Sequence, residues 1–199
     1  MVVKAILIDF GGVLVRTKDQ GSRRFWEIQL NLAQGELARL VFESDIARQA
    51  TLGLLPERAI WDHIAKVLKL DYHQIMDLEF DFWKYDELDF DLRDYFKSLR
   101  PTYKIGILSN AWLNARQLFS EKYHLEEVVD DMIISAEVGL AKPDPKIYRI
   151  AANKLGVKLE ETIFIDDMPE NVAVAESIGM VGIHFQNTLE LIKSIHRFL

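Results

Sequence analysis

Short apolar runs alternate with segments of helical periodicity from residue 91 to the end of the chain. The runs of strand length are residues 103–108, 132–135, 162–165 and 181–185, and a further run opens the chain and ends at Ile8. Strand and helix patterns that alternate in this way are typical of a parallel sheet with helices on both faces. The sequence therefore predicts an α/β fold built on a doubly wound parallel sheet.

The stretch between the first and second predicted strands has helical periodicity and no strand pattern. Its apolar positions predict four helices. Because this block is inserted directly after the first strand, we expect it to lie over the carboxyl ends of the strands. The predicted domains are an α/β core of residues 1–15 and 90–199 and an all-helical cap of residues 16–89.

Composition narrows the class of protein. The 199 residues contain no cysteine, which excludes disulfides, thiol catalysis and metal sites with cysteine ligands. A formal net charge of −7 without clusters of basic residues argues against nucleic acid or an anionic membrane as partner. No signal peptide or membrane-spanning stretch is evident, so we expect a cytoplasmic protein. The sequence does not indicate an oligomeric state.

Polar residues follow three of the predicted strands, at the point where each strand ends. Asp9 follows the first strand, Ser109-Asn110 the second and Asp166-Asp167 the fourth, while Lys142 lies in a loop constrained by glycine and proline after the third. The carboxyl ends of parallel strands lie at one edge of the sheet, where open α/β proteins bind ligands. These side chains are therefore expected to converge although they are far apart in the sequence.

Three carboxylates close together repel one another and raise one another's pKa values unless a cation lies among them. Mg²⁺ suits such a site, because it prefers oxygen ligands and is commonly held by one or two carboxylates, water and a substrate phosphate. Lys142 and the Ser109 hydroxyl could hold an anionic group against the metal. Attack of an aspartate such as Asp9 on phosphorus is an established form of covalent catalysis. The strand ends thus predict Mg²⁺ as cofactor and a small phosphorylated molecule as substrate.

Each element of this pattern also has a simpler explanation. Asp166-Asp167 before a proline could form a turn and a helix cap, Ser109-Asn110 could be an N-cap pair, and Lys142 could be a solvated loop residue. Independent caps need not combine an acidic pair and a lysine in a rigid loop at successive strand ends. The joint pattern therefore favours a functional site.

Four stretches of the chain resemble, in order, the motifs of the haloacid dehalogenase-like hydrolases. They are Ile8 to Leu14, Ile107 to Asn110, Gly139 to Tyr148 and Phe164 to Asp167. The first stretch is similar to the Asp-x-Gly-Asn/Gly-Val subgroup, which includes sugar-phosphate phosphatases and the amino-terminal domains of epoxide hydrolases. The resemblance implies an α/β core with an inserted helical cap, here of the type placed after the first motif, and phosphatase activity that depends on Mg²⁺.

The resemblance also implies a role for each matching residue. Asp9 would be the nucleophile and a metal ligand, and Gly11 would contribute its backbone to the metal and phosphate site. Ser109 would bind the phosphate with Asn110 beside it. Lys142 would bridge nucleophile and phosphate, and Asp166 and Asp167 would hold Mg²⁺ directly or through water.

Gly11 departs from the usual pattern of this family. Phosphatases of the superfamily usually carry a second aspartate at this position, which protonates the leaving oxygen and later activates the hydrolytic water. Glycine can do neither, and general acid–base catalysis is typically worth about 10²–10⁴-fold. Two alternatives therefore stay open beside a phosphatase: a carbon–halogen hydrolase that uses Asp9 as nucleophile, and a catalytically weak or non-enzymatic binding protein.

Charged residues just after the first motif are candidates for substrate contact. We expect a solvated helix start for all of them, and the alternative is contact with an anionic substrate, with Asp19 replacing the missing acid. The four residues are Arg16, Asp19, Arg23 and Arg24. Aromatic residues of the cap are expected to pack its helices together, although one or more could line a substrate pocket; they are Trp26, Trp61, Phe82 and Trp83.

Overall fold

A computed structural model describes residues 2–199 and contains a parallel sheet of five strands in the order β5-β4-β1-β6-β7. All strands, including two outside this sheet, are β1 (Ala5–Ile8), β2 (Val15–Thr17), β3 (Asp86–Leu88), β4 (Lys104–Ser109), β5 (Asp131–Ile134), β6 (Thr162–Asp166) and β7 (Val181–His184). The predicted doubly wound parallel sheet is confirmed, because each neighbouring pair is parallel and β1 lies at the centre.

Eleven α-helices surround and cap this sheet within residues 2–199. They are α1 (Gly21–Gln29), α2 (Glu36–Glu43), α3 (Asp45–Thr51), α4 (Arg58–Leu68), α5 (Tyr72–Trp83), α6 (Phe90–Leu99), α7 (Ala115–Glu121), α8 (Ser135–Val138), α9 (Pro145–Leu155), α10 (Pro169–Ser177) and α11 (Thr188–Ile195). No helix in this part of the chain combines the length and apolar character needed to cross a membrane.

The central strand explains why the opening run is uniformly apolar. Ile6 and Ile8 pack on one face of the sheet with residues of α6, α7 and α11, while Ala5 and Leu7 pack on the other face with α9 and α10. All four side chains are almost completely buried. A strand covered on both faces cannot alternate apolar and polar residues, so its sequence is a continuous apolar run.

Five helices, α1 to α5, lie between β2 and β3 and share an apolar core of their own. Trp61, Phe82 and Leu78 are among its fully buried side chains. The sequence predicts four helices here, and the fifth arises because Ser44 accepts a hydrogen bond from the Ala47 N–H and starts α3 directly after α2. An N-cap of this kind interrupts a helix without a proline or glycine.

A two-stranded antiparallel ribbon, β2 with β3, joins the five helices to the sheet domain. The sequence pattern does not predict it, because each strand has only three residues. Arg23 forms an ion pair with Asp86 at 2.9 Å, and Arg16 pairs with Asp89. Both arginines are therefore engaged within the ribbon region rather than freely solvated. The domain boundaries proposed from the sequence both fall at this ribbon and stay predictions.

Candidate active site

The carboxyl ends of β1, β4 and β6 form one edge of the sheet, and the predicted site residues lie there. Ile8 is in register with Ile107 of β4 and with Ile165 of β6. Asp9, Ser109 and Asp166 follow these positions by one or two residues, so the parallel pairing places them side by side. Asp9 is 8% exposed, Ser109 4% and Asp166 0%, which puts all three at the buried floor of the edge.

Lys142 extends into this group of acids. Its Nζ lies 2.8 Å from Asp9 Oδ1 and 2.6 Å from Asp166 Oδ2, and the residue is 5% exposed. Burial alone would lower the pKa of Lys142, but the two carboxylates raise it above its ordinary value. The lysine is therefore a buried cation bound to the acids, not the solvated loop residue of the simpler explanation.

Asn110 holds the lysine loop in place. Its side-chain Nδ2 donates to the Lys142 carbonyl at 2.8 Å, and its Oδ1 accepts from the Lys142 N–H at the same distance. Such a reciprocal pair leaves the lysine backbone little freedom to shift. In the sequence Asn110 follows Ser109, the serine expected to bind phosphate, and the structure adds that the Asn110 side chain positions Lys142.

Asp9, Asp166 and Asp167 form a compact acidic cluster. One carboxylate oxygen from each lies within 4.8 Å of the others. Burial raises the pKa of Asp9 to about 7; Lys142 opposes this shift, and Asp166 and Asp167 add to it. The pKa of Asp167 is raised by burial and by Asp166. The single positive charge of Lys142 therefore does not balance the negative charge of the three carboxylates. Because a hard divalent cation prefers oxygen ligands, the three carboxylates fit such an ion.

Two groups that the sequence analysis does not single out hold Asp166. The side-chain Nδ2 of Asn171 lies 3.0 and 3.1 Å from the two carboxylate oxygens of Asp166, and the Met168 N–H donates to Oδ1 at 2.8 Å. Asn171 is 8% exposed, and its carbonyl accepts from the buried Tyr148 hydroxyl at 3.0 Å. Asn171 lies on the first turn of α10, shortly after the acidic pair in the sequence. Its short spacing from Asp167 is the sequence feature from which a contact with the acidic pair could have been predicted.

Gly12 is required by the position of Asp167. Its φ of +78° is in the left-handed region, and a Cβ at this position would overlap the Asp167 carboxylate. By contrast, a Cβ on Gly11 would meet nothing within 4 Å. The two glycines therefore differ: Gly12 allows the close approach of an acid, whereas Gly11 leaves space beside Asp9 that a side chain could fill.

Other sequence-predicted candidates lie outside this arrangement. Asp19 is exposed and accepts a hydrogen bond from the Gly21 N–H at 2.7 Å, which is a local turn contact. It does not line the cleft over Asp9. His184, which the sequence pattern does not single out, is exposed, and its Nε2 lies 2.9 Å from the Asp167 carbonyl. This contact follows from the pairing of Asp166 with His184 between β6 and β7.

A cleft of about 1020 Å³ opens over the acidic cluster. Its lining combines the site residues Asp9, Ser109 and Lys142 with residues of the ribbon and of the helices between β2 and β3. Small-molecule sites commonly have volumes of about 300–1,000 Å³. The cleft is therefore large enough for a small organic molecule with one end at Asp9.

The family model of the haloacid dehalogenase-like hydrolases matches residues 3–179 of this chain. Since this match spans most of the chain, the protein belongs to that family and is a hydrolase. D-ribitol-5-phosphate phosphatase of Bacteroides thetaiotaomicron is a relative that is 26% identical over 189 residues, or 89% of this chain and 89% of the relative.

Solved structures share the fold. A haloacid dehalogenase family enzyme from Bacteroides thetaiotaomicron, in complex with magnesium and inorganic phosphate, superposes with a TM-score of 0.76 at 22% identity, covering 95% of this chain and 98% of that one. The L-2-haloacid dehalogenase of Xanthobacter autotrophicus gives a TM-score of 0.66 at 19% identity, with coverages of 98% and 83%. At these identities the likeness concerns the fold alone.

Proposed function

We propose that this protein is a Mg²⁺-dependent phosphatase of a small phosphorylated metabolite, with Asp9 as the nucleophile. The observation that carries the proposal is the contact of Asp9 with Lys142 beside Asp166 and Asp167, at the floor of the cleft. A nucleophile, a fixed cation and a site for a divalent metal are the parts that phosphoryl transfer requires. The phosphatase relative and the magnesium–phosphate complex of a structural neighbour support the same reaction.

In the proposed reaction the two oxygens of Asp9 have different tasks. Oδ1 accepts from the Phe10 N–H at 2.7 Å and lies 2.8 Å from Lys142 Nζ. These contacts fix the carboxylate and leave Oδ2 to attack phosphorus. As the Oδ2–phosphorus bond forms, the bond from phosphorus to the leaving oxygen breaks, and water then hydrolyses the aspartyl-phosphate and restores Asp9.

The remaining residues bind and neutralise the transferred group. Ser109 would donate its hydroxyl to a phosphate oxygen, and Lys142 would compensate charge on that group as it moves toward Asp9. Asp9, Asp166, Asp167 and the Gly11 carbonyl would hold Mg²⁺, which supplies charge neutralisation for the carboxylates and the phosphoryl oxygens. Asn110 and Asn171 keep Lys142 and Asp166 in position through the hydrogen bonds described above.

The test is a screen of phosphorylated sugars, polyols, nucleotides and organic acids, with phosphate release measured in Mg²⁺ and again in EDTA. We expect release from at least one ester in Mg²⁺ and none in EDTA. Release from no ester above a denatured control would contradict the proposal and favour a binding protein. Halide release from 2-haloacids that persists in EDTA would instead favour a dehalogenase.

Residue 11 is a glycine, so it has no side chain that could donate a proton to the leaving oxygen. Gly11→Asp should therefore increase kcat about tenfold or more, since general acid–base catalysis is worth about 10²–10⁴-fold. The open space around a Cβ at this position makes the substitution sterically possible. kcat is measured on the best ester of the screen, and Gly11→Asn serves as the matched control that adds the same bulk without an acid. If Gly11→Asp and Gly11→Asn have the same kcat, the missing acid does not limit the rate.

A further inference from the structure

Three aromatic side chains form one wall of the cleft over Asp9. They are Phe42 of α2, Trp83 at the end of α5 and Trp112 in the loop after β4, and we refer to them as the aromatic wall. Ring centroids are 5.8 Å apart for Phe42 and Trp83, 6.3 Å for Phe42 and Trp112, and 6.1 Å for the two tryptophans. The wall is thus one continuous aromatic surface contributed by both parts of the molecule.

The rings of the aromatic wall are not fully covered by neighbouring side chains. Phe42 is 47% exposed, and Trp83 and Trp112 are each partly exposed. The buried cap aromatics Trp61 and Phe82 pack behind Trp83. Because aromatic rings bury a large apolar area when they are covered, an exposed cluster facing a cleft is well suited to bind a flat apolar ligand.

The position of Trp112 places the wall near the phosphate site. Trp112 follows Ser109 by three residues, so their Cα atoms are at most about 11 Å apart. Both residues line the cleft over Asp9, so a ligand with its phosphate at Ser109 and Asp9 can extend along the cleft to the wall. The loop is held at this position, because the Ala111 N–H and carbonyl both bond to the Ser135 hydroxyl at 3.0 Å.

Charged groups on the ribbon side of the cleft are already paired. Arg16 binds Asp89, and Arg23 binds both Asp86 and the Phe82 carbonyl. The hydroxyl of Thr17 donates to the same Asp86 carboxylate. These groups are occupied by contacts within the protein, whereas the rings of the aromatic wall are partly exposed in the cleft.

We propose that the aromatic wall binds the leaving group, and that the substrate is a phosphate monoester whose leaving group carries an aromatic ring. This inference rests on the proposed phosphatase function. The competing explanation is that Trp112 only packs the core loop against the cap, since it also contacts the cap's apolar core. Packing alone would affect stability without discriminating between ligands.

The experiment measures, by calorimetric titration of the protein in Mg²⁺, the Kd of phenyl-, 2-phenylethyl- and 4-phenylbutylphosphonate and of the ring-free methyl-, ethyl- and butylphosphonate. None of these compounds is hydrolysed at its carbon–phosphorus bond. We expect the phenyl compound to bind about tenfold more tightly than its ring-free counterpart at the chain length that brings the ring to the wall, as stacking on an aromatic surface commonly provides. Trp112→Leu and Phe42→Leu should each reduce this ratio severalfold and leave the Kd of methylphosphonate unchanged. Phe80→Leu is the control, because Phe80 is 71% exposed and lies outside the cleft.

Equal affinity for the phenyl and ring-free phosphonates at every chain length, or a ratio that Trp112→Leu and Phe42→Leu leave unchanged, would overturn the proposal. A cyclohexyl compound that binds as tightly as the phenyl compound of the same chain length would overturn the assignment of an aromatic ring. The binding result is independent of turnover. If the affinity ratio depends on Trp112 but no ester is hydrolysed, the proposed role of the aromatic wall is supported and the phosphatase function is refuted. If esters are hydrolysed but phosphonates with a ring bind no more tightly, the phosphatase function is supported and the role of the wall is refuted.

Discussion

Asp9→Asn is expected to reduce kcat for phosphate release by about 10³-fold or more, because removal of the proposed nucleophile would eliminate the covalent route. The amide has the shape of the carboxylate but cannot form an acyl-phosphate by attack on phosphorus. Phosphate release is measured in Mg²⁺ on the best ester of the substrate screen. This is the largest loss of activity that the structure predicts for a single substitution.

The fold of Asp9→Asn should be intact. The pKa of Asp9 is raised to about 7 by burial and by its acidic neighbours, so a neutral side chain is well tolerated there, and Lys142 keeps its contact with Asp166. We therefore expect a free energy of unfolding no lower than that of the unaltered protein. Asp77→Asn, on the exposed surface of α5, is the matched control for both measurements. Turnover by Asp9→Asn near the level of this control would refute the covalent mechanism.

Lys142→Met is expected to lower the free energy of unfolding in EDTA by about 3–5 kcal/mol, the usual cost of removing one partner of a buried ion pair. Met has a similar length but no charge, so Asp9, Asp166 and Asp167 would be left without the cation that lies 2.6–2.8 Å from two of them. Unfolding by urea is measured in EDTA and in Mg²⁺. Added Mg²⁺ should recover part of the loss, because a ligand that binds only the folded state stabilises it.

The pH dependence of this loss follows from the direction of the pKa shifts. An acid with a raised pKa binds its proton more tightly in the folded chain, so its contribution to stability falls as the pH rises from 3.8 to about 7 in the case of Asp9. Without Lys142 the pKa of Asp9 would be higher still. The difference in stability between the unaltered protein and Lys142→Met should therefore be larger at pH 8 than at pH 6.

The control for this experiment is Lys146→Met, since Lys146 is exposed on the first turn of α9. We expect its free energy of unfolding to be within about 0.5 kcal/mol of that of the unaltered protein. If Lys142→Met were no less stable in EDTA than Lys146→Met, the acidic cluster would not depend on the buried lysine for charge compensation.

Much of the fold follows from local sequence patterns. The five strands of the sheet can be predicted because a strand buried on both faces needs an uninterrupted apolar run, and residues 5–8 and 163–165 form such runs. The parallel arrangement follows from the helices between strands. Once the strands are parallel, their carboxyl ends must lie at one edge, and this geometric rule brings Asp9, Ser109 and Asp166 together without any knowledge of side-chain contacts.

Local patterns fail where a contact joins distant residues or where an element is very short. The β2–β3 ribbon has three residues in each strand, too few to show alternation, and its pairing is set by register across the inserted helices. The helix that follows β4 begins only at Ala115, because Ala111 bonds to the Ser135 hydroxyl and its neighbour Asn110 bonds to the lysine loop. The bond of Ala111 joins residues that are 24 positions apart in the sequence, and the bond of Asn110 joins residues that are 32 positions apart.

The sequence by itself determined the sheet, the strand-end acids and the lysine loop, because apolar periodicity and the polarity of parallel strands act locally or through a simple topological rule. Only the tertiary structure decided that Asn110 and Asn171 hold Lys142 and Asp166, and that Phe42 and Trp112 share one wall of the cleft. Each of these depends on the packing of separate elements in three dimensions, for which a one-dimensional pattern carries no signal.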